Sequence, residues 1–189
     1  YEVKVMGKVM DSELGEIKNL FHFANLAKVN WQEALKCFVS DEFVHILTGS
    51  GRQYEEAYRG LLENGIDNRC IDDAMEQFLV LIRKKQSVKF SWLAERLKYD
   101  VEDIPERIEL VVERNGWGYT EVNVEAVGAF FKESRLLLKE DDFVNDRAKI
   151  SFGINRAQIS AGKNYGFVRI ITQGDEKRCE IVVEKSFEN

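Results

Sequence analysis

The stretch Phe78-Leu79-Val80-Leu81-Ile82-Arg83-Lys84-Lys85-Gln86 marks a change of hydrophobic rhythm. Before it, apolar residues recur every three or four positions, the spacing of a helix with one buried face. After it they alternate, as in a strand buried on one side. Met75, Phe78, Leu79 and Ile82 form a helical stripe. In Arg107-Ile108-Glu109-Leu110-Val111-Val112-Glu113-Arg114, by contrast, Ile108, Leu110 and Val112 share one face, with Arg107, Glu109 and Glu113 on the other. The pattern predicts an α+β chain: an N-terminal helical segment of four to five helices, then an antiparallel β-sandwich. The divisions expected are residues 1–10, a strand (Tyr1, Val3, Val5) ending a preceding module; 11–85, a helical connector; and 86–189, the sandwich.

In the helical part, Asp11 or Ser12 offers a capping oxygen to a helix whose core face would carry Leu14, Ile17, Leu20, Phe21, Phe23, Ala24 and Ala27. Asn30 caps a helix over Trp31–Phe38, and Ser40 a short one with Phe43, Val44 and Leu47 inward, ended by Thr48-Gly49-Ser50-Gly51. Gln53–Glu63 repeats the period through Tyr54, Ala57, Tyr58, Leu61 and Leu62 and stops at Asn64-Gly65. A last helix over Asp72–Lys84 has acids at its start and Arg83-Lys84-Lys85 at its end, matching the helix dipole.

In the second part Thr120, Val122, Val124 and Ala126 alternate after the Arg107 strand, and a loop Asn115-Gly116-Trp117 would set Leu110 opposite Val122. A second hairpin would pair Val168 with Val183 and Ile170 with Ile181 across Gly174-Asp175-Glu176-Lys177. Ile150, Phe152 and Ile154 alternate, and shorter candidates lie at 93–101, 129–133 and 136–139. Ser91–Tyr99 fits a helix as well as a strand, and strand is the reading adopted. Pro105 precedes the Arg107 strand, where its missing N–H costs no ladder bond. Some seven short strands with turns between them and no crossover helix describe an Ig-like sandwich.

Composition narrows the function. With 44% hydrophobic and 32% charged residues the 189-residue chain is globular, and a net charge of −6 without a Lys/Arg block argues against nucleic acid as partner. The longest apolar runs are five residues, far short of a bilayer-spanning helix, so membrane insertion is not expected. Cys37, Cys70 and Cys179 are an odd number, read as buried small hydrophobes in a reducing compartment, cytoplasmic or other. Tyr1 in place of Met and the absence of a leader pattern lead us to expect a fragment of a longer protein.

No catalytic constellation emerges. His22 and His45 fall on solvent sides of helices without a Ser or Cys partner, and neither His-x3-His nor Cys-x2-Cys occurs, so no metal or other cofactor is expected. The glycine loops at 48–54 and 161–164 read as turns, since neither has the full glycine set of a dinucleotide or phosphate loop. Asp141, Asp142 and Asp146 beside Glu140 offer carboxylates to calcium but lack EF-hand spacing. Trp117, Tyr119 and Tyr165, in or beside turns, are the candidate ligand-binding residues, with closure of one end of the sandwich as the alternative role of Trp117.

Several segments carry a resemblance: Pro105-Glu106-Arg107-Ile108-Glu109-Leu110, Asn115-Gly116-Trp117-Gly118-Tyr119, Asp141-Asp142-Phe143 and Ala161-Gly162-Lys163-Asn164-Tyr165-Gly166. They resemble the Ig-like modules of very large, uncharacterised bacterial multidomain proteins, distantly similar to BACON-type sandwiches. Residues 15–27, Gly15-Glu16-Ile17 through Asn25-Leu26-Ala27, resemble the segment between such modules. The resemblance brings no activity with it; for BACON-type modules it implies carbohydrate or mucin contact. The expectation is a non-enzymatic structural or interaction module whose partners are neighbouring domains of its own chain, with a shared apolar interface between helices and sandwich. The alternative is a glycan- or peptide-binding module using turn aromatics or a free sheet edge.

Overall fold

In a computed structural model the described residues are 10–12, 15–67, 70–172 and 175–187. They form two units: one of residues 1–88 with 116–119, the other of 89–115 with 120–189. The first is therefore built from two separate stretches of chain.

The helical unit opens with a hairpin of β1 (Met10–Ser12) and β2 (Gly15–Ile17). The helix expected from Asp11 or Ser12 instead starts at Leu20, where the Asn19 side chain accepts the His22 N–H at 2.8 Å. Gly15, a poor helix former, sits in a strand there. Ile17 still enters the core from β2, but Phe21, expected inward, is 59% exposed, because a helix begun at Leu20 turns Leu20, Phe23, Ala24 and Ala27 inward. Leu14 and the strand expected over 1–9 lie outside the described residues.

Five helices follow: α1 (Leu20–Val29), α2 (Trp31–Phe38), α3 (Phe43–Thr48), α4 (Arg52–Asp67) and α5 (Ile71–Leu81). Asn30 caps α2 as expected, its side chain accepting the Glu33 N–H at 3.1 Å. Ser40 does not cap α3. Its hydroxyl donates back to the Cys37 carbonyl at 2.7 Å, its own carbonyl receives the Phe43 N–H, and Val44 is exposed while Ile46 is buried. Helix α4 runs through the expected stop at Asn64-Gly65 to Asp67.

The core joins α1 to α5 through aromatic rings. Phe38 lies with ring centroids 5.0 Å from Tyr58, 5.3 Å from Phe43, 5.6 Å from Phe78 and 6.1 Å from Phe23, mostly edge-on or tilted, the arrangement ring quadrupoles favour. The Tyr58 hydroxyl donates to the Phe38 carbonyl. Helix α5 ends at Leu81, three residues short of the expected end, with Arg83 at φ +60°. The Lys84 N–H donates to the Leu79 carbonyl and the Arg83 N–H to that of Val80, both at 3.0 Å, a left-handed stop usually given to glycine.

The second unit is the expected sandwich. One sheet has the order β4 (Arg96–Asp100), β10 (Asp175–Lys185), β9 (Gly162–Thr172), β6 (Glu121–Val127), β7 (Arg135–Lys139); the other is β3 (Lys89–Trp92), β5 (Arg107–Asn115), β8 (Arg147–Gly153). Alternation places Ile108, Leu110, Val112, Val122, Val124, Val168, Ile170, Ile181 and Val183 in the core as the sequence implies.

Pairing departs from expectation in four places. Strand β5 does not pair with β6: Leu110 faces Ile150 of β8, and Val122 faces Leu138 of β7 in the other sheet. In the β9–β10 hairpin Val168 faces Cys179, not Val183, so the register slips by four residues and every side chain keeps its face. Strand β10 pairs with β4 in parallel, not antiparallel. Residues 129–133 form no strand, Phe131 making only an isolated bridge to Ile154. The stretch 89–100 is strand, broken between Trp92 and Arg96.

Arg83 holds a backbone region that penalises any Cβ, and its side chain is exposed. Arg83→Gly is therefore expected to stabilise the helical unit by about 0.5–1 kcal/mol, read as a rise in the denaturant midpoint at unchanged slope; a fall would refute the reading of this turn.

Candidate functional site

The side chains with chemical potential fall into three groups, each tied to backbone. The first is in the helical unit, around the turn 116–119. Lys85 is 8% exposed, and its ammonium pairs with a Glu76 carboxylate oxygen, donates to the Gln86 carbonyl at 2.7 Å and lies 5.3 Å from the centre of the Trp117 ring. The second Glu76 oxygen accepts the Tyr119 N–H at 3.1 Å. Gly118, at φ +128°, makes this approach possible: a Cβ there would sit 2.8 Å from Lys85 Cε and closer still to the Glu76 carboxylate. Half-buried Trp117 packs against the helical core. The Cys70 thiol lies 3.6 Å from the Tyr119 hydroxyl. Sequence reading assigned Lys85 to the end of a helix and missed Glu76. Only the glycines flanking Trp117 hinted that something approaches this turn closely.

The second group lies in the sandwich, at the acidic loop considered for calcium. Arg114, its side chain 10% exposed, holds it together. One terminal nitrogen donates to Glu140 Oε1 at 2.7 Å and to the Thr120 hydroxyl at 2.8 Å, while Nε and the other terminal nitrogen reach Asp146 Oδ1 at 3.2 and 3.1 Å. The guanidinium carbon is 4.8 Å from the Phe143 ring centre. Asp142 accepts the Lys139 N–H at 2.8 Å, Asp141 is exposed, and Asn145 and Asp146 make a tight turn at φ +54° and +63°. A guanidinium thus sits among the carboxylates, its planar fork reaching two of them. Among the described residues, no group of three or more His, Cys, Asp and Glu is placed to hold a metal ion.

The third group is ionic and crosses the outer face of the five-stranded sheet. Arg169 and Arg178 stand directly opposite each other and share Glu176, at 3.4 Å and 2.5 Å, while Glu125 of β6 holds Arg169 from its other side at 2.6 Å. The hydrogen bond from Arg178 is the main influence that lowers the pKa of Glu176, while Glu125 raises that of Arg169. At the end of β8, Glu133 accepts the Gly153 N–H at 2.7 Å, and this bond, with Arg107, holds its carboxyl below the usual value.

The three aromatic candidates do not share a setting. Trp117 and Tyr119 belong to the helical unit and are half-buried, whereas Tyr165 is on β9 of the sandwich, 69% exposed. His45 is exposed, and half-buried His22 accepts the Lys18 N–H through Nδ1 at 3.3 Å. Of the thiols, Cys37 and Cys179 are buried, and burial pushes their pKa values up to about 12 and about 11. Such thiols stay protonated and inert at neutral pH. Cys70 is half-buried, not the fully buried hydrophobe expected.

Arg114→Lys should cost about 1–2 kcal/mol and Arg114→Ala about 2–3 kcal/mol of sandwich stability, since a point charge cannot span both carboxylates; equal midpoints for the two variants would contradict this. Calcium should leave the melting temperature unmoved. A thiol reagent should modify Cys70 first and reach Cys37 and Cys179 only on unfolding. Glu133 and Glu176 are lowered in the folded state, so their contribution is complete above the unfolded carboxylate value of about 4.3 and is lost as pH falls through their folded values. Glu133→Gln should flatten the acid limb of stability against pH.

Over residues 1–189 the chain matches the model of a family described as "Family of unknown function (DUF5717) N-terminal", and it belongs to that family. No curated protein matches it. Among solved structures it is similar to the apo form of the Calx CBD1 domain, at 13% identity and TM-score 0.43, over 52% of this chain and 97% of that one. It is also similar to an endo-β-1,4-mannanase from Thermotoga petrophila (12% identity, TM-score 0.30, 55% of this chain and 20% of that one). Human titin ZIg10 is a third (10%, TM-score 0.27, 54% and 78%).

Proposed function

We propose that the chain is a non-enzymatic structural and interaction module of a larger multidomain protein, with neighbouring domains as its partners. One observation carries this: the charged groups that could have formed a site are engaged in fixing backbone. Glu76 and Lys85 hold the turn at Tyr119, Arg114 ties β5 to the loops at Thr120, Glu140 and Asp146, and Glu133 ends β8. A catalytic acid or base needs a pKa near working pH and a reachable proton. Hydrogen bonds move the Glu133 and Glu176 carboxyls the other way, down, and burial moves the Cys37 and Cys179 thiols up. The family's designation as an N-terminal region supports a place within a longer protein.

A second reading, glycan binding, draws on Tyr165 alone, because its ring stands open on a strand while Trp117 and Tyr119 are half-buried.

The test is a panel of generic hydrolase and transferase probes, aryl esters, phosphates and glycosides, together with a glycan array. The module reading expects turnover no faster than in protein-free buffer and no glycan retained. Turnover removed by Cys70→Ser or His22→Gln would establish an enzyme, and glycan retention lost in Tyr165→Ala would establish the second reading.

A further inference from the structure

Strand β7, at one edge of the sandwich, combines open backbone with a side-chain pattern that specifies what fits it. Strand β7 is the last strand of the five-stranded sheet, paired only with β6. The Ala126 N–H donates to the Ser134 carbonyl at 2.9 Å in line with the β6–β7 register. Hydrogen-bonded pairs alternate along an antiparallel ladder, so Leu136 and Leu138 bond inward to β6 and Arg135, Leu137 and Lys139 turn their N–H and C=O groups outward. The Lys139 N–H is taken by Asp142 at 2.8 Å; the outward groups of Arg135 and Leu137 have no partner among the described residues.

The ends of other edges are closed by their own residues. On β8 the Gly153 N–H is capped by Glu133 and its carbonyl receives the Lys132 N–H at 2.8 Å, and beside β4 the Asp100 carbonyl receives the N–H groups of Asp103 and Ile104. Closure of this kind is how native sheets avoid stray pairing. On β7 the closure reaches only the Lys139 N–H, and the centre of the strand is open.

Side chains add a pattern to the open backbone. Arg135 and Lys139 flank Leu137 on the outer face; Leu137 is 42% exposed, and the Arg135 side chain is 80% exposed with Glu125 3.5 Å away. On the inner side Leu138 is buried but Leu136 only half-buried, so the core is not fully covered at this edge. Along β7 the outer side chains thus run cation, apolar, cation, with Glu121 and Glu125 of β6 opposite Lys139 and Arg135.

We propose that the β7 edge accepts an extended acidic segment of a partner protein by strand addition: an acidic residue, three apolar residues, and an acidic residue. The outer acids would meet Arg135 and Lys139, the middle apolar residue Leu137, and the other two would cover Leu136 and Leu138. Main-chain bonds to Arg135 and Leu137 supply affinity and the alternating side chains supply selectivity. This inference rests on the interaction-module reading and names one of its surfaces.

The experiment adds the capped peptide Ser-Glu-Val-Ile-Val-Glu-Ser, and its counterpart with both Glu replaced by Lys, to the isotope-labelled full chain, and follows amide exchange and chemical shifts. The expected result is saturable binding that slows exchange of the Arg135 and Leu137 amides, about tenfold weaker for the lysine peptide and for Arg135→Glu. Leu137→Pro removes only an outward N–H, so the sandwich should keep its spectrum and lose the peptide. Absence of binding, equal binding of both peptides, or protection elsewhere would overturn the proposal while leaving the non-enzymatic reading intact. Should Leu137→Pro unfold, Arg135→Glu decides alone.

Discussion

A buried lysine sets the terms for the helical unit. Removing an ammonium from water costs several kcal/mol unless its hydrogens find partners. The Lys85 head finds three: the Glu76 carboxylate, the Gln86 carbonyl and the face of Trp117. Glu76 then uses its other oxygen on the Tyr119 N–H, and Gly118 is the residue that lets the carboxylate in. A turn distant in sequence is thereby fixed against α5 by charge, and Trp117 follows it onto the helical core. The ion pair need not raise net stability to have this effect, because buried pairs act most strongly by making alternatives with one partner missing expensive.

The sandwich repeats the device with a guanidinium. Arg114 binds a hydroxyl and two carboxylates at once, drawing the acidic loop and the Asn145-Asp146 turn to the end of β5. The two carboxylates are more than half exposed and stay hydrated, while the cation and the Thr120 hydroxyl are shielded. Charge here shapes loops in a highly charged sequence.

The change of period near Gln86 was legible because burial on one face leaves its mark on every third or fourth residue of a helix and every second residue of a strand. The same alternation says which face a residue takes and nothing about which strand lies beside it. Leu110 faces Ile150 instead of Val122, and the four-residue slip between Val168 and Val183 left the pattern unchanged for this reason. Helix ends were misread where local chemistry competed, as at Ser40, whose hydroxyl bonds backward, and at Arg83, which takes a turn that glycine normally fills. The site residues were least legible: nothing in Arg83-Lys84-Lys85 distinguishes the exposed Lys84, 5.9 Å from the Phe21 ring, from the buried Lys85.

Whether charge holds backbone in place is decided by a double-mutant cycle on Glu76 and Lys85 with Trp117 fluorescence as the reporter. Glu76→Leu and Lys85→Met should each cost about 3–5 kcal/mol by stranding the other charge, and the double variant should recover much of that loss. Single losses that simply add, with Trp117 emission unchanged throughout, would contradict the account.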